Sequence, residues 1–406
     1  MSEESTRTTG TTVEKLQRSG LPDDVKFPDF RGTLDAATYT INCNDGVVRT
    51  LEILRVICRA DGIKGRGPTV VEAQCIREEG LGRFKSWKEK PLIVKFSFPV
   101  QTRAPENVLI DEARACAEEG DYWALNHLPE VFFCETTELT EFKKDTAQGR
   151  LLQYLGAKNC KDRVIRVTVM AKLYPLSELR NARELAQVLY DILQIHRWLC
   201  DKPRILHRDL SISSIMFRRS SDKEQSIYGV LNDFDLSSRL GQMDQPSSNH
   251  CTGTKPFMAF DLLDADWPKG HMYRHDVESV FYILLILCCH YNNLKHSLLS
   301  DKRPYLDWFT SRDVAVSSQK SRLFLSRSTL HVQPYFADFT EWLTKIIRQF
   351  NLGCKNRPWD PNDTSVNWDW ETLSGCITYE NMKEITRTFQ GTDLVTRWDR
   401  VVASNS

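Results

Sequence analysis

Between residues 37 and 54 apolar and polar side chains alternate, with Tyr39, Ile41, Val47, Val48 and Ile53 supplying β-branched or aromatic groups, and the period predicts strands. The run from Ile53 to Cys58 is followed by a glycine-bearing segment, Gly62 to Ala73, so strand, turn and strand are expected there. Pro91 to Phe98 is an apolar strand interrupted by one charge, Lys95, and Val164 to Met170 alternates as a half-buried strand. The period then changes. Leu185, Val188, Leu189, Ile192, Leu193, Ile195 and Leu199 form one stripe, which predicts a helix from Ser177 or Asn181 to Leu199. A shorter helix is expected from Pro105, with the proline in its first turn and Leu109, Ile110 and Ala113 falling three, four and seven residues after Glu106.

Ser279 to Cys289 is apolar throughout, too short to span a bilayer and suited to a buried core helix. Beyond Asn292 the pattern alternates helix and loop, with Trp308, Phe309, Phe324, Phe336, Phe339 and Trp342 as expected core. Residues 351–370 read as turn-rich, with Pro358 and Pro361, and Glu380 to Val401 as one or two amphipathic helices. The first 35 residues are rich in Ser, Thr and Gly and are expected to form a mobile arm. No internal repeat stands out. The expected organisation is therefore an arm (1–35), a strand-rich part (36–170), a helical part (171–350) and a C-terminal extension (351–406) with no chemistry of its own. Ala171 to Leu176 is the short connector between the two main parts.

Composition narrows the class. Of 406 residues, 41% are apolar and 27% charged, as in globular proteins, and Lys+Arg equals Asp+Glu at 54 each. No global basic field exists for nucleic acid or a membrane surface, so neither is expected as a partner. Twelve cysteines at irregular spacing, with no C-x-x-C pair, argue for reduced packing thiols in an intracellular protein, cytoplasmic or nuclear. The polar amino terminus has no apolar region of a secretory signal.

Chemistry enters at His207-Arg208-Asp209, a polar triplet between two apolar ends, Ile205-Leu206 and Ile215-Met216-Phe217. A hairpin-like run follows and stops on Asp233. A carboxylate in a loop, a hairpin and a second carboxylate is the plan of a phosphoryl-transfer site: the first accepts a hydroxyl proton, the second holds magnesium. Lys95 inside a strand is costly to bury unless its ammonium meets anions. Its candidate partners are Glu106, preferred because it edges the apolar face, and Glu112. Gly65 and Gly67 fit a partial phosphate-covering turn, although a plain hairpin explains them equally. Residues 241–250 are polar and close on Cys251 to Asp261, as an activation segment does. Ser247, Ser248, Thr252 and Thr254 fit either regulatory phosphosites or an ordinary solvated loop, and His271, His275 and His290 lack metal-ligand spacing. Asp276 heads the apolar helix and fits either a cap or an acceptor for the 207–209 backbone.

Taken in order, Lys95, Glu106, the block from His207 to Phe217, Asn232 to Ser238, Gly253 to Asp261 and His275 to Tyr282 resemble the eukaryotic protein kinase superfamily. The resemblance, over roughly residues 50 to 345, is to its fungal-specific branch. It implies an α+β, two-lobed kinase-like fold, with a small β-rich N-lobe and a larger helical C-lobe. It implies ATP and Mg²⁺ as cofactors and a protein substrate or signalling partner. Asp209 is then the residue that orients the acceptor hydroxyl, Arg208 a neighbour able to neutralise a phosphorylated segment, and Asp233 a magnesium ligand. Lys95 holds the nucleotide phosphates with Glu106 or Glu112 behind it, and Gly65, Gly67 and Lys172 of the connector complete the nucleotide site. Asp235 and Ser211 replace the glycine and lysine usual in the superfamily, as is common in the fungal branch. Ser214 stands where a metal-binding asparagine is usual. A hydroxyl is the shorter and poorer ligand, which lowers metal affinity or turnover and leaves a pseudokinase or scaffold as the alternative. A small-molecule phosphotransferase is a third, less favoured reading, because it would lack the Gly253 to Asp261 segment.

Overall fold

The computed structural model describes residues 36–59, 67–138, 163–220, 227–240, 253–326, 329–363 and 365–398. The expected arm (1–35), Gly65, Ser247, Ser248 and Thr252 lie outside the described residues. The first part is a six-stranded antiparallel sheet in the order β1-β2-β3-β4-β6-β5: β1 Thr38–Asn42, β2 Val48–Arg59, β3 Thr69–Glu79, β4 Leu92–Ser97, β5 Val131–Glu138 and β6 Val164–Ala171. Alternation decides which face is dry. Ile41, Leu51, Ile53, Val71, Ala73, Leu92, Val94, Val167 and Val169 make one apolar cluster, closed by Trp87. Against the sheet's other side lies α1, Glu106–Ala115, buried through Glu106, Leu109, Ile110 and Ala113. Pro105 is the residue before this helix, extended at φ −61°, ψ 141°, instead of a member of its first turn. Its fixed φ suits both positions, so the sequence does not separate them.

The connector is partly strand. Ala171 ends β6, and Tyr174–Pro175 (β7) pair with Met216 and Phe217 of β9, Ile215–Arg219. The predicted stripe helix is α2, Ala182–Asp201, and Asn181 caps it by accepting the Glu184 N–H at 2.9 Å. After β8 (Ile205–Leu206) the loop 207–214 leads to β9 and β10 (Ile227–Leu231), an antiparallel hairpin, and β11 (Ser238–Arg239) returns to pair with β8. The apolar run lies in α3, Tyr273–His290, every residue of which is buried. A helix buried on all sides has no solvent face and becomes the axis of the core. Around it pack α2, α4 (Asp313–Leu325) and α5 (Thr340–Asn356) with their buried Leu, Phe and Trp side chains. Among the described residues no helix is long and apolar enough to cross a membrane.

Three expectations need correction. Phe309 is 44% exposed, because the single helical turn Asp307–Thr310 turns Trp308 inward instead. The expected boundary at 351 falls inside α5, which runs to Asn356. The segment beyond it contributes Leu373, Ile377, Met382, Phe389 and Leu394 to the same core as α3, so 351–398 is no separate extension. The terminal helix is shorter than the pattern predicted: α6 covers only Tyr379–Thr386 and gives way to a hairpin, β12 (Thr388–Phe389) and β13 (Thr392–Asp393). Gln390 and Gly391, both at positive φ (52° and 69°), make its turn, and that left-handed pair ends the helical path.

Candidate active site

Lys95 sits in β4, paired across to Val70 of β3 and Thr168 of β6, so its side chain leaves the sheet on the side of α1. Only 11% of that side chain is exposed. Its Nζ lies 3.2 Å from Glu106 Oε2, 2.9 Å from Asp233 Oδ1 and 2.9 Å from Asp235 Oδ2. Asp233 follows β10 with φ 64° and ψ 67°, a left-handed turn that swings its carboxylate back toward the sheet. Asp235 is in the turn Phe234–Leu236, and Arg103 donates to its carbonyl at 2.7 Å. Burial opposes the Lys95 ammonium, but Glu106, Asp233 and Asp235 outweigh it and hold the group protonated well above its ordinary range. Burial, with the Asp235 and Asp233 charges added, outweighs the Lys95 ammonium at the Glu106 carboxyl and pushes it up to about 7. Three carboxylates against one ammonium leave the ionised cluster two negative charges in excess.

The ligand oxygens of Glu106, Asp233 and Asp235 lie within 4.8 Å of one another. Hard oxygen donors with surplus negative charge suit Mg²⁺, which binds carboxylates at about 2.0–2.1 Å. Asp235 is the member that motif reading missed. It registered only as a replacement for glycine, and its distance from Lys95 is set by the turn after Asp233.

Below this cluster the loop 207–214 is held from underneath. The His207 N–H donates to Asp276 Oδ2 at 3.1 Å, and the Arg208 N–H lies 3.2 Å from each Asp276 oxygen. Asp276 also accepts from His196 Nε2 and His271 Nε2, each at 2.8 Å. Burial alone would raise the Asp276 carboxyl, but the two histidines hold it far below the carboxylate range. Of its two expected roles, capping α3 or bonding the loop backbone, the second is the one seen. His207 Nε2–H donates to the Asn232 carbonyl at 2.9 Å, and Phe234 meets the ring edge-on at 5.3 Å. Burial lowers the His207 pKa, which keeps the imidazole neutral and structural. Arg208 takes a positive φ of 70° and donates to Ser238 Oγ at 3.2 Å. Asp209 accepts from both the backbone N–H and the hydroxyl of Thr254, at 2.9 and 3.0 Å.

Not every candidate joins these groups. Ser214 Oγ accepts from the Ser211 N–H at 2.8 Å and donates to the Ser211 carbonyl at 2.9 Å, so the hydroxyl closes a turn inside the loop. Lys172 bonds Glu72 at 2.6 Å, away from the Lys95 cluster. Glu112 pairs with Arg239. Gly67 precedes β3 at φ 52°, a left-handed conformation that favours glycine, on the side of Phe98.

Residues 134–288 match the family model described as fungal protein kinase. Among solved structures, that of vaccinia related kinase 3 is similar, with a TM-score of 0.45 and 12% identity, covering 86% of this chain and 89% of that chain. No curated protein matches. The family match runs from β5 into α3 and holds Asp209, Asp233 and Asp276; over that stretch, part of the ground covered by the motif resemblance, this chain is similar to the fungal protein kinases.

Proposed function

We propose that this chain is an ATP-dependent protein kinase that transfers the γ-phosphoryl group to a Ser or Thr hydroxyl. The observation that supports this reading most is the contact of Lys95 with both Glu106 and Asp233, joining strand, helix and loop at one ammonium. In this reading Asp233 and Asp235 would hold Mg²⁺, which suits their excess of negative charge, and Lys95 would face the nucleotide phosphates. Glu106 keeps the Lys95 ammonium at its station. Mg²⁺ with ATP supplies the activated phosphoryl group and neutralises its developing charge. Asp209 orients the acceptor hydroxyl and takes its proton, a role in which position matters most. Arg208 bridges the loop to β11 through Ser238. Gly67, just before β3, would lie over the phosphates. The lobes are 36–170 and 171–398, since the residues beyond α5 share the helical core.

A second reading, nucleotide binding without useful transfer, is favoured by Ser214. Its hydroxyl has both roles engaged by Ser211, so the ligand usual at that place is missing. Thermal-shift titration with Mg²⁺ and ATP on wild type, Asp233→Ala and Ser214→Asn, with autophosphorylation in parallel, separates the readings. Stabilisation abolished in Asp233→Ala, with transfer that Ser214→Asn raises, supports the kinase. Stabilisation without transfer in any variant leaves the binding protein. No stabilisation and no transfer refutes both.

A further inference from the structure

Lys320 is fully buried, and among the described residues its ammonium bonds backbone carbonyls and makes no salt bridge. It belongs to α4, and its Nζ donates to the Met258 carbonyl at 2.5 Å and the Lys255 carbonyl at 3.2 Å. The ring of Tyr282 lies 4.2 Å from the nitrogen and that of Trp308 5.1 Å, a box in which aromatic faces replace part of the lost hydration. Burying a lysine this way is expensive, so the two carbonyls it holds deserve a reason.

Both belong to the segment that touches Asp209. Thr254 gives its N–H and hydroxyl to the Asp209 carboxylate, and the turn that starts there closes through Phe257 N–H to Thr254 O and Met258 N–H to Lys255 O. The same face of α4 adds Ser317, whose hydroxyl donates to the Phe260 carbonyl at 2.8 Å, while Glu278 accepts the Phe260 N–H at 2.8 Å. Lys255 is tied to Asp313 at the start of α4, at 2.8 Å. One helix thus holds the segment at three places, through Asp313, Lys320 and Ser317, and Lys320 is the fully buried one of the three.

We propose that Lys320 is a positioning residue for the acceptor: it fixes the 254–258 segment, and through Thr254 the Asp209 carboxylate, in the arrangement that receives a protein hydroxyl. The proposal rests on the kinase reading for its functional part, while the fixing of the segment stands on contacts alone. Burial pulls the Lys320 pKa down to about 7, with the Glu278 charge opposing the fall.

The experiment compares wild type, Lys320→Met, which keeps the stem between the rings, and Ser317→Ala. Hydrogen exchange is followed in residues 253–263, with β4 and α3 as internal controls. Lys320→Met is expected to speed exchange at 257–258 by about tenfold, the lower end for a lost charge-assisted bond, with the controls unchanged. With casein as acceptor, KM for casein is expected to rise by about tenfold while KM for ATP holds. Ser317→Ala, which keeps Lys320, should leave 257–258 protected. Unchanged exchange at 257–258 in Lys320→Met, or an equal loss of protection in β4, overturns the proposal. If Lys320→Met does not fold, Lys320→Arg decides: a protected segment supports the proposal, and a selectively exposed one refutes it. Failure of wild type to phosphorylate casein or itself counts against the kinase reading and leaves the exchange result to judge the positioning of the segment.

Discussion

Replacing Asp276 with asparagine tests how the loop bearing Asp209 is held. The substitution is close to isosteric, so little packing changes, but one carboxylate oxygen becomes an NH₂ that cannot accept. Oδ2 receives His196 at 2.8 Å and His207 N–H at 3.1 Å; Oδ1 receives His271 at 2.8 Å; Arg208 N–H lies 3.2 Å from both. Whichever way the amide turns, at least one buried donor faces a donor and the remaining bonds lose their charged acceptor. Each bond to a charged acceptor is worth roughly 1.5–3 kcal/mol, so about 3–5 kcal/mol of stability should be lost. The depressed pKa sets the pH window. Asp276 stabilises the fold above the unfolded carboxylate value and loses that contribution as pH falls through its lower folded value, so the full penalty is expected at neutral pH. Urea denaturation at pH 7 measures it as a midpoint shift at constant slope, with amide exchange at 207–208 as the local readout. A loss below about 1 kcal/mol with 207–208 still protected would refute the argument that this carboxylate is what holds the loop.

Lys95→Met removes the ammonium that contacts Glu106, Asp233 and Asp235; it should abolish nucleotide stabilisation and lower Tm at pH 7.5, with recovery toward pH 6 or on adding Mg²⁺, and a Tm indifferent to both would contradict the charge account. Burial raises Glu278 to about 7, so the folded chain keeps this proton between the unfolded carboxylate value and 7; its stabilising contribution is present at low pH and lost as pH rises through that window, by up to about 3 kcal/mol. Glu278→Gln, which mimics the protonated acid, should flatten the fall in Tm between pH 5 and 7.5, and an unchanged slope would rule Glu278 out as its source. Arg397 bonds buried Asp191 at 3.3 Å and the Ile227 carbonyl at 2.8 Å, so Arg397→Ala should cost about 1–3 kcal/mol in urea denaturation; no measurable loss would mean that the C-terminal segment is not fastened there.

Much of this protein was legible in one dimension, because the features concerned have local causes. The strands carrying Lys95 and Val164 to Met170, the stripe of α2 and the apolar run within α3 follow from the side-chain pattern alone. The blocks around Asp209 and Asp233 are readable because loop, hairpin and turn are contiguous segments whose chemistry travels with their order. What pairs with what is a different matter. Glu106 and Glu112 are both acidic residues of α1; only the way the helix lies on the sheet sends the first to Lys95 and the second to Arg239. The third carboxylate on Lys95, the turn that occupies Ser214, the four donors on Asp276 and the aromatic box of Lys320 join residues far apart in the chain or depend on a backbone turn that spacing does not reveal. The fate of residues 351–398 belongs here too, since their apolar positions look like those of any small appendage until a groove beside α2 and α5 is present to receive them. Period and order report how a segment treats water, a property of neighbours along the chain. Charge pairing, burial of a lysine and the engagement of a hydroxyl depend on which segments meet, and only the folded chain brings them together.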